Sequence, residues 1–310
     1  MKKTIKNLFT AGIALVTISV PSIEDFIYNI VYKFFKLELP NVNGNLCMII
    51  GLCTIGIAAF MYINTNNKSK TISIIGLDSK YQADNLPDTH MIDIRENIKK
   101  LNNNNSTNII KDFICDIDKF IDNYLNKEKS YYGVAPIPFI ALAGTRFKKE
   151  IIANHYEYNS SNDRINKLNF KLSLLLPKMK INRINKKTKD SVICISTTSK
   201  ITKSDLTQFS NYNIHHFYLE NCKDNIIISE EQLKKYSDLI VKEIYEISKL
   251  RDGKIYLIGS CQSSLIFEIF RKINMNRTLE IIVCNYKKSA NPRYDWGLCI
   301  NNNEVRYVKL

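Results

Sequence analysis

Two apolar stretches near the start of the chain differ from the alternating pattern of the remainder. No Asp, Glu, Lys or Arg occurs from Asn7 to Ile23 or from Leu39 to Asn67. Within the second stretch, Leu46 to Ile63 is almost wholly apolar and would form a helix about 27 Å long at ~1.5 Å per residue. A globular helix of that length normally keeps a polar face, so the pattern predicts that 46–63 crosses a membrane.

The first apolar stretch, 8–23, is open to two interpretations. It follows three lysines, as the core of a bacterial signal peptide would, but the sequence ISVPSIEDF has no small-x-small cleavage site. Retention as a second membrane helix is therefore favoured. Lysines precede this stretch and follow 46–63, so the positive-inside rule places both ends of the hairpin in the cytoplasm. We expect residues 1–66 to form a two-helix transmembrane region and 67–310 to be cytosolic.

Beyond residue 70 one apolar pattern occurs twice. The pattern comprises four elements: a buried strand, a long amphipathic helix, a strand-turn-helix and a closing strand. They recur in the same order at a spacing of about 120 residues. Apolar strands that alternate with helices predict an α/β fold with a mostly parallel sheet in each half, 71–165 and 190–310. The matched pairs are TISIIGLDSK (71–80) with SVICISTTSK (191–200), 107–127 with 229–250, 130–147 with 254–273, and 150–158 with 279–286.

Ligands of parallel α/β sheets bind beyond the carboxyl ends of the strands. Two copies side by side would bring four such ends to one cleft, rich in hydroxyls and poor in acid. Helix N-termini after Pro136 and Ser260 would favour anions, and lysines could neutralise phosphates. The same hydroxyls could instead only cap helices. The candidate ligand-binding residues are Leu77, Asp78, Ser79, Lys80, Ala135, Pro136, Thr197, Thr198, Ser199, Lys200, Lys203, Ser260 and Gln262.

Composition narrows the choice of ligand. The chain has only 10 glycines, and their placement excludes the glycine-rich loops that hold nucleotide phosphates in triphosphatases and dinucleotide enzymes. The formal net charge of +14 suits anionic partners. The densest basic run, KMKINRINKKTK (178–189), has no interleaved aromatic residue and is typical of an exposed linker or a lipid-facing surface. We expect no binding to a DNA or RNA polymer.

Cysteine and histidine patterns argue against a metal and leave one enzymatic alternative. The cysteines beyond residue 70 are scattered singly without a C-x-x-C pair, so we expect reduced thiols and no metal or cofactor. In GSCQSS (259–264) Cys261 would lie on a strand-to-helix turn, with His155, His215 or His216 as a base. Ser263 stands where a nucleophile elbow has its second glycine. A membrane-anchored enzyme, either a cysteine hydrolase or one that slowly cleaves a cyclic nucleotide, remains the alternative.

The segment YYGVAPIPFIALAGTRFKKEIIANHYEY has Ala-Pro at its turn and Tyr-Glu-Tyr in the following strand, and it resembles the SAVED domain of bacterial anti-phage defence. SAVED domains look like two fused CARF-type Rossmann units, so the resemblance covers about 71–310. The second copy departs from the pattern at GSCQSS and CNY, which leaves its binding contacts open. The resemblance implies a sensor of a cyclic di- or trinucleotide made by a CD-NTase-type nucleotidyltransferase.

The N-terminal hairpin is the effector candidate in this chain, an arrangement similar to the two-transmembrane SAVED effectors of CBASS systems. The resemblance implies that ligand binding drives self-association and gathers the hairpins in the bacterial inner membrane. Disruption of that bilayer and abortive infection would follow.

Overall fold

The computed structural model describes residues 10–11, 51–58, 69–77, 86, 88–159, 164–169, 176–249, 252–288, 290–301 and 304–310. The chain divides into two compact units, Met1–Lys68 and Ser69–Leu310. In the first unit, 51–58 are helical. None of the helices in the described ranges is long and apolar enough to cross a membrane, and most of the two predicted spans, 8–23 and 46–63, lies outside those ranges.

The described part of the second unit contains two β-sheets. Its strands are β1 (Lys70–Ile75), β2 (Thr89–Asp93), β3 (Lys129–Val134), β4 (Ile152–Asn159), β5 (Arg164–Lys167), β6 (Lys180–Ile184), β7 (Ser191–Ser196), β8 (Asn213–Tyr218), β9 (Lys254–Ser260), β10 (Glu280–Asn285), β11 (Trp296–Ile300) and β12 (Val305–Lys309). The smaller sheet has the order β2-β1-β3-β4-β5, and the larger β12-β11-β10-β9-β7-β8-β6.

Helices join these strands and cover the sheets. The α-helices are α1 (Arg95–Lys100), α2 (Ser106–Asn123), α3 (Ile137–Arg146), α4 (Glu230–Ser248) and α5 (Ser263–Lys272), with 3-10 helices at Lys203–Phe209 and Met275–Arg277. Helix α2 forms because its apolar positions, such as Phe113 and Ile117, repeat with helical period and are buried.

The strand order of the smaller sheet recurs within the larger one. The order β8-β7-β9-β10-β11 repeats β2-β1-β3-β4-β5, with the last strand antiparallel in both. Helices α4 and α5 follow the same strands as α2 and α3. The segments matched in sequence therefore occupy equivalent positions in the two sheets. The prediction of a mixed α/β fold is confirmed, and the larger sheet adds β6 at one edge and β12 at the other.

Helices α3 and α5 lie side by side, and each packs on the sheet of the other half. Gly144 of α3 lies against the backbone of α5, where a Cβ would overlap the carbonyl oxygen of Phe267 and lie 3.0 Å from Phe270 Cβ. Tyr131 of β3 stacks on Phe267 with ring centroids 3.8 Å apart. One hydrophobic core therefore runs through both halves.

Polar contacts also cross from β4 and the residues before it to the second half. His155 Nδ1 lies 2.9 Å from Glu230 Oε2, and His155 Nε2 lies 3.7 Å from Glu268 Oε2. Arg271 Nη1 donates to the carbonyl oxygen of Glu150 at 3.1 Å. Burial disfavours the charged imidazole, but the two carboxylates outweigh it and raise the pKa of His155. These contacts fix β4 against α4 and α5.

The basic run 178–189 is not a linker throughout, and that prediction is wrong for 180–184. These residues form β6, which pairs antiparallel with β8 at the edge of the larger sheet. Arg183 makes two hydrogen bonds of 2.7 Å with the Glu243 carboxylate of α4. The pattern of apolar residues does not reveal this strand, because an exposed edge strand usually has charged side chains.

Candidate functional site

The strand ends of the two halves are closed by the same hydrogen-bonded turn. After β1, the backbone N–H groups of Gly76 and Leu77 both donate to the carbonyl oxygen of Val134, at 2.8 and 3.2 Å. After β7, those of Thr197 and Thr198 both donate to the carbonyl oxygen of Ser260, at 2.9 and 3.0 Å. We define the strand-end site as the segments that follow β1, β3, β7 and β9.

The second half places a group of hydroxyls at this site. Ser260 Oγ lies 3.0 Å from Thr198 Oγ1 and 2.6 Å from Ser199 Oγ, and it accepts from Ser199 N at 3.2 Å. Ser199 and Lys200 are exposed, whereas Thr197 is buried. The hydroxyls can donate to or accept from a polar ligand because each oxygen has both capacities.

Contacts between the halves bring the strand ends together. A Cβ at Gly259, near the end of β9, would lie 3.5 Å from Ile137 Cδ1 at the start of α3. Asn225 Nδ2 in the segment after β8 donates to the carbonyl oxygen of Tyr158 near the end of β4, at 2.8 Å. These contacts place the end of β9 beside the start of α3, and the segment after β8 beside the end of β4.

The helix N-termini at the site offer fewer free amides than expected. Ser264 N at the start of α5 already donates to Glu157 Oε1 at 2.6 Å. Helix α3 begins Pro136-Ile137-Pro138, and proline has no N–H, so few donors remain there. Glu157 is an acid that was not a candidate, and it is buried beside the start of α5. An anionic ligand would depend on lysines and hydroxyls more than on helix ends.

Gln262, a candidate ligand-binding residue, has its amide engaged within the protein. Its Oε1 accepts from Ile227 N at 2.6 Å, and its Nε2 donates to the carbonyl oxygen of Ile227 at 2.9 Å. The side chain is buried. Gln262 therefore holds the segment before α4 against the end of β9, which is a positioning role.

The lysines of the site are exposed. Burial lowers the pKa of the His216 imidazole, and the charge of Lys200 lowers it further. Lys203 begins a 3-10 helix. Lys223, which was not a candidate, donates its backbone N–H to the carbonyl oxygen of Thr197 at 3.0 Å. Of the other candidates, Ala135 and Pro136 are buried and Leu77 is exposed, whereas Asp78, Ser79 and Lys80 lie outside the described residues.

Cys261 has the environment of a packed thiol. Burial raises its pKa far above the ordinary range, with a further contribution from the Glu157 charge, so the nucleophilic thiolate is disfavoured. The histidines considered as its base have other partners. His215 Nδ1 lies 2.7 Å from Glu243 Oε1, and His216 Nε2 lies 2.8 Å from Ser196 Oγ. Across the ranges that the structure describes, no three His, Cys, Asp or Glu side chains are grouped as metal ligands would be.

A family model decides the class of this fold. The model of SAVED, "SMODS-associated and fused to various effectors sensor domain", matches residues 113–300, more than half of the chain. The chain belongs to the SAVED family. No curated protein matches it.

Solved structures with a similar fold are SAVED/CARF-domain containing receptors named Cap4. The Acinetobacter baumannii receptor with the cyclic trinucleotide 3'3'3'-cAAA matches at 11% identity and a TM-score of 0.52, over 93% of this chain and 66% of that one. The same receptor with 2'3'3'-cAAA matches at 13% and 0.49, over 86% and 63%. The Moraxella osloensis receptor matches at 13% and 0.45, over 93% and 64%. This SAVED chain thus spans less than two thirds of the length of these receptors.

Sequence reasoning missed Glu157 and Lys223 in this SAVED domain. Glu157 is the single acid of β4, IANHYEYN, in which only His155 and Glu157 are buried. A lone acid near the carboxyl end of a predicted strand was a usable signal. Lys223 follows β8, a strand that the matched segments did not include. Its neighbourhood gave no pattern, because LENCKDN is an ordinary polar loop.

Glu157→Gln is expected to stabilise the SAVED domain at high pH. Burial raises the pKa of Glu157 to about 7 from 4.5, against the opposing effect of the Ser264 N–H. The folded state therefore holds the proton more tightly, so the parent loses stability as the pH rises from 4.5 to 7. Glutamine avoids that loss and should raise the free energy of unfolding by up to about 3 kcal/mol at pH 8.

Urea denaturation of the two proteins between pH 4 and 8 measures this difference, with Glu128→Gln as an exposed control. The difference should be close to zero at pH 4 and constant above pH 7.5. A difference that does not change with pH would refute a buried Glu157 that ionises near neutrality.

Proposed function

We propose that this SAVED protein is a membrane-bound effector of bacterial anti-phage defence. Its SAVED domain binds a cyclic oligonucleotide made by a CD-NTase-type nucleotidyltransferase, the bound chains self-associate, and their N-terminal hairpins disrupt the inner membrane. Abortive infection follows. The observation that carries the proposal is the match to the SAVED family, supported by the contact between the end of β9 in one half and the start of α3 in the other.

The chemistry of the site suits a small anion with several polar groups. Lys200, Lys203 and Lys223 are exposed at the second half and can face phosphates. The hydroxyls around Ser260 can bond to phosphate oxygens or sugar hydroxyls. A ligand that spans both halves would stabilise the packing of α3 against α5, because it binds the folded arrangement only.

The ligand arm is tested by thermal unfolding of the full chain in detergent with a panel of cyclic di- and trinucleotides. We expect one member to raise the unfolding temperature, with a stabilisation of about 2.7 kcal/mol at a concentration 100-fold above Kd. Lys200→Gln should weaken the effect, whereas Lys111→Gln, an exposed lysine on α2, should not. No response to any member of the panel would refute the sensor function.

The membrane arm is tested by dye release from vesicles that contain the full chain. Release should require both the cognate cyclic nucleotide and residues 1–66, and particle size should increase with the same ligand. Release by protein without residues 1–66 would contradict the effector role of the hairpin.

A further inference from the structure

Two loops at the amino end of the smaller sheet expose aliphatic side chains to an unusual degree. Leu125 follows α2 and is 64% exposed, and Ile151 precedes β4 and is 69% exposed. They are the two most exposed large hydrophobic residues in the part of the chain that the structure describes. A single exposed aliphatic residue is ordinary, but these two lie in neighbouring loops.

A buried lysine ties the two loops together. Lys129 is fully buried at the start of β3, and its Nζ donates to the carbonyl oxygens of Tyr124 and Lys127 at 2.9 and 3.2 Å. The same Nζ pairs with the Glu150 carboxylate, and Lys129 N donates to the carbonyl oxygen of Ile151 at 3.0 Å. Loops 124–128 and 147–151 therefore form one surface, which we call the entry patch.

The charge of the entry patch is positive. Lys127, Lys148 and Lys149 are exposed, and within the described ranges none of them makes an ion pair with a carboxylate. Glu128 is the exposed acid of these loops, since Glu150 is engaged by Lys129. Lys127 Nζ lies over the Tyr124 ring, 5.9 Å from its centroid. Exposed aliphatic side chains in the same loops as lysines without a carboxylate partner are the composition of a surface that binds the interface of an anionic bilayer.

The chain enters the SAVED domain at the same place. Lys70, the first residue of β1, donates its backbone N–H to the carbonyl oxygen of Glu128 at 3.0 Å, and its Nζ lies 5.4 Å from the centroid of the Tyr124 ring. Ile63 ends the predicted membrane span, and seven residues reach at most about 25 Å. The entry patch is therefore tethered within a short distance of any membrane that 46–63 crosses.

We propose that the entry patch docks on the anionic inner leaflet, with Leu125 and Ile151 inserted at the level of the headgroups and the lysines bound to lipid phosphates. This inference rests on the membrane placement in the proposed function. It would hold the domain against the bilayer and leave the strand-end site, at the opposite ends of the same strands, accessible from the cytoplasm.

The test uses the full chain in vesicles of phosphatidylcholine and phosphatidylglycerol with brominated acyl chains, which quench nearby tryptophan. Leu125→Trp and Ile151→Trp are compared with Leu239→Trp, an exposed position on α4, and the signal of Trp296 is common to all. We expect at least twofold stronger bromolipid quenching at 125 and 151 than at 239. Quenching should fall when Lys127, Lys148 and Lys149 are all changed to Gln or when phosphatidylglycerol is omitted.

Equal bromolipid quenching at the three positions would overturn the proposal. Shielding of 125 and 151 from both bromolipid and acrylamide would also overturn it, because protein, either a second copy or residues 1–66, would then cover the patch. Ligand-induced thermal stabilisation is measured on the same samples. If docking fails while the ligand still stabilises the protein and the protein still resists alkaline extraction from the membrane, only the proposal about the entry patch is refuted. Absence of ligand-induced stabilisation refutes the ligand arm of the proposed function, and extraction by alkali refutes the membrane arm.

Discussion

Replacement of Gly144 by alanine is expected to lower the free energy of unfolding by about 2 kcal/mol and to weaken ligand binding. Alanine would favour the helical conformation by about 1 kcal/mol over glycine, so the helix itself opposes this result. The added Cβ, however, would overlap the carbonyl oxygen of Phe267. A backbone atom cannot rotate away as a side chain can, so α3 and α5 must separate. That separation shifts the strand ends of one half relative to the other.

Denaturation in urea and titration with the cognate nucleotide measure both effects. Thr145→Val is the matched control because Thr145 is the next residue of α3 and is only partly buried. It should change the free energy of unfolding by less than about 0.5 kcal/mol. A Gly144→Ala protein more stable than the parent would show that helix propensity prevails and that the two helices are not in contact there.

Replacement of Lys129 by methionine is expected to cost about 3 kcal/mol of stability. The ammonium group is fully buried, pairs with Glu150 and donates to two backbone carbonyl oxygens. Methionine has a similar volume but leaves those three acceptors without their donor. Loops 124–128 and 147–151 should become more mobile, with faster amide exchange in both.

A double-mutant cycle with Glu150→Gln isolates the pair. Glu150→Gln leaves the Lys129 charge buried without its counterion, so the two changes together should cost less than the sum of the single changes. Lys149→Met, in the same loop but exposed, should be almost neutral. Additive costs in the cycle would contradict a direct Lys129–Glu150 pair.

The repeated apolar pattern was sufficient to predict the α/β architecture. The central strands are continuous apolar runs, and the long helices have buried apolar residues at helical spacing. The sequence of segments such as 191–200 and 229–250 is therefore enough to predict a strand or a helix. The pattern Ser229-x-x-Gln232 is typical of a capping box at a helix start. Ser229 does cap α4, since its side chain accepts from Gln232 N at 3.2 Å. The reciprocal bond goes to Ile228 N instead, at 3.1 Å.

Edge strands and long-range polar contacts could not be predicted in the same way. Strand β2 has only one fully buried residue and β6 has none, so neither alternates clearly. The roles of Glu157 and Gln262 depend on partners more than 30 residues away, Ser264 and Ile227. Because the partners come together only in the folded chain, the sequence did not indicate that Gln262 and the N-terminus of α5 are already engaged.

The central claim is that one cyclic oligonucleotide contacts both halves of the strand-end site. It is tested most directly by isothermal titration of the full chain with the cognate nucleotide, using an added carboxylate in each half. Leu77→Asp alters the first half and Ser199→Asp the second, and both positions are exposed, so the fold should tolerate them. Leu239→Asp on α4 is the control.

We expect each of Leu77→Asp and Ser199→Asp to weaken binding at least about tenfold by repelling phosphates, while Leu239→Asp binds as the parent does. Loss of affinity from a change in one half only, or from neither, would contradict a ligand shared by the two halves.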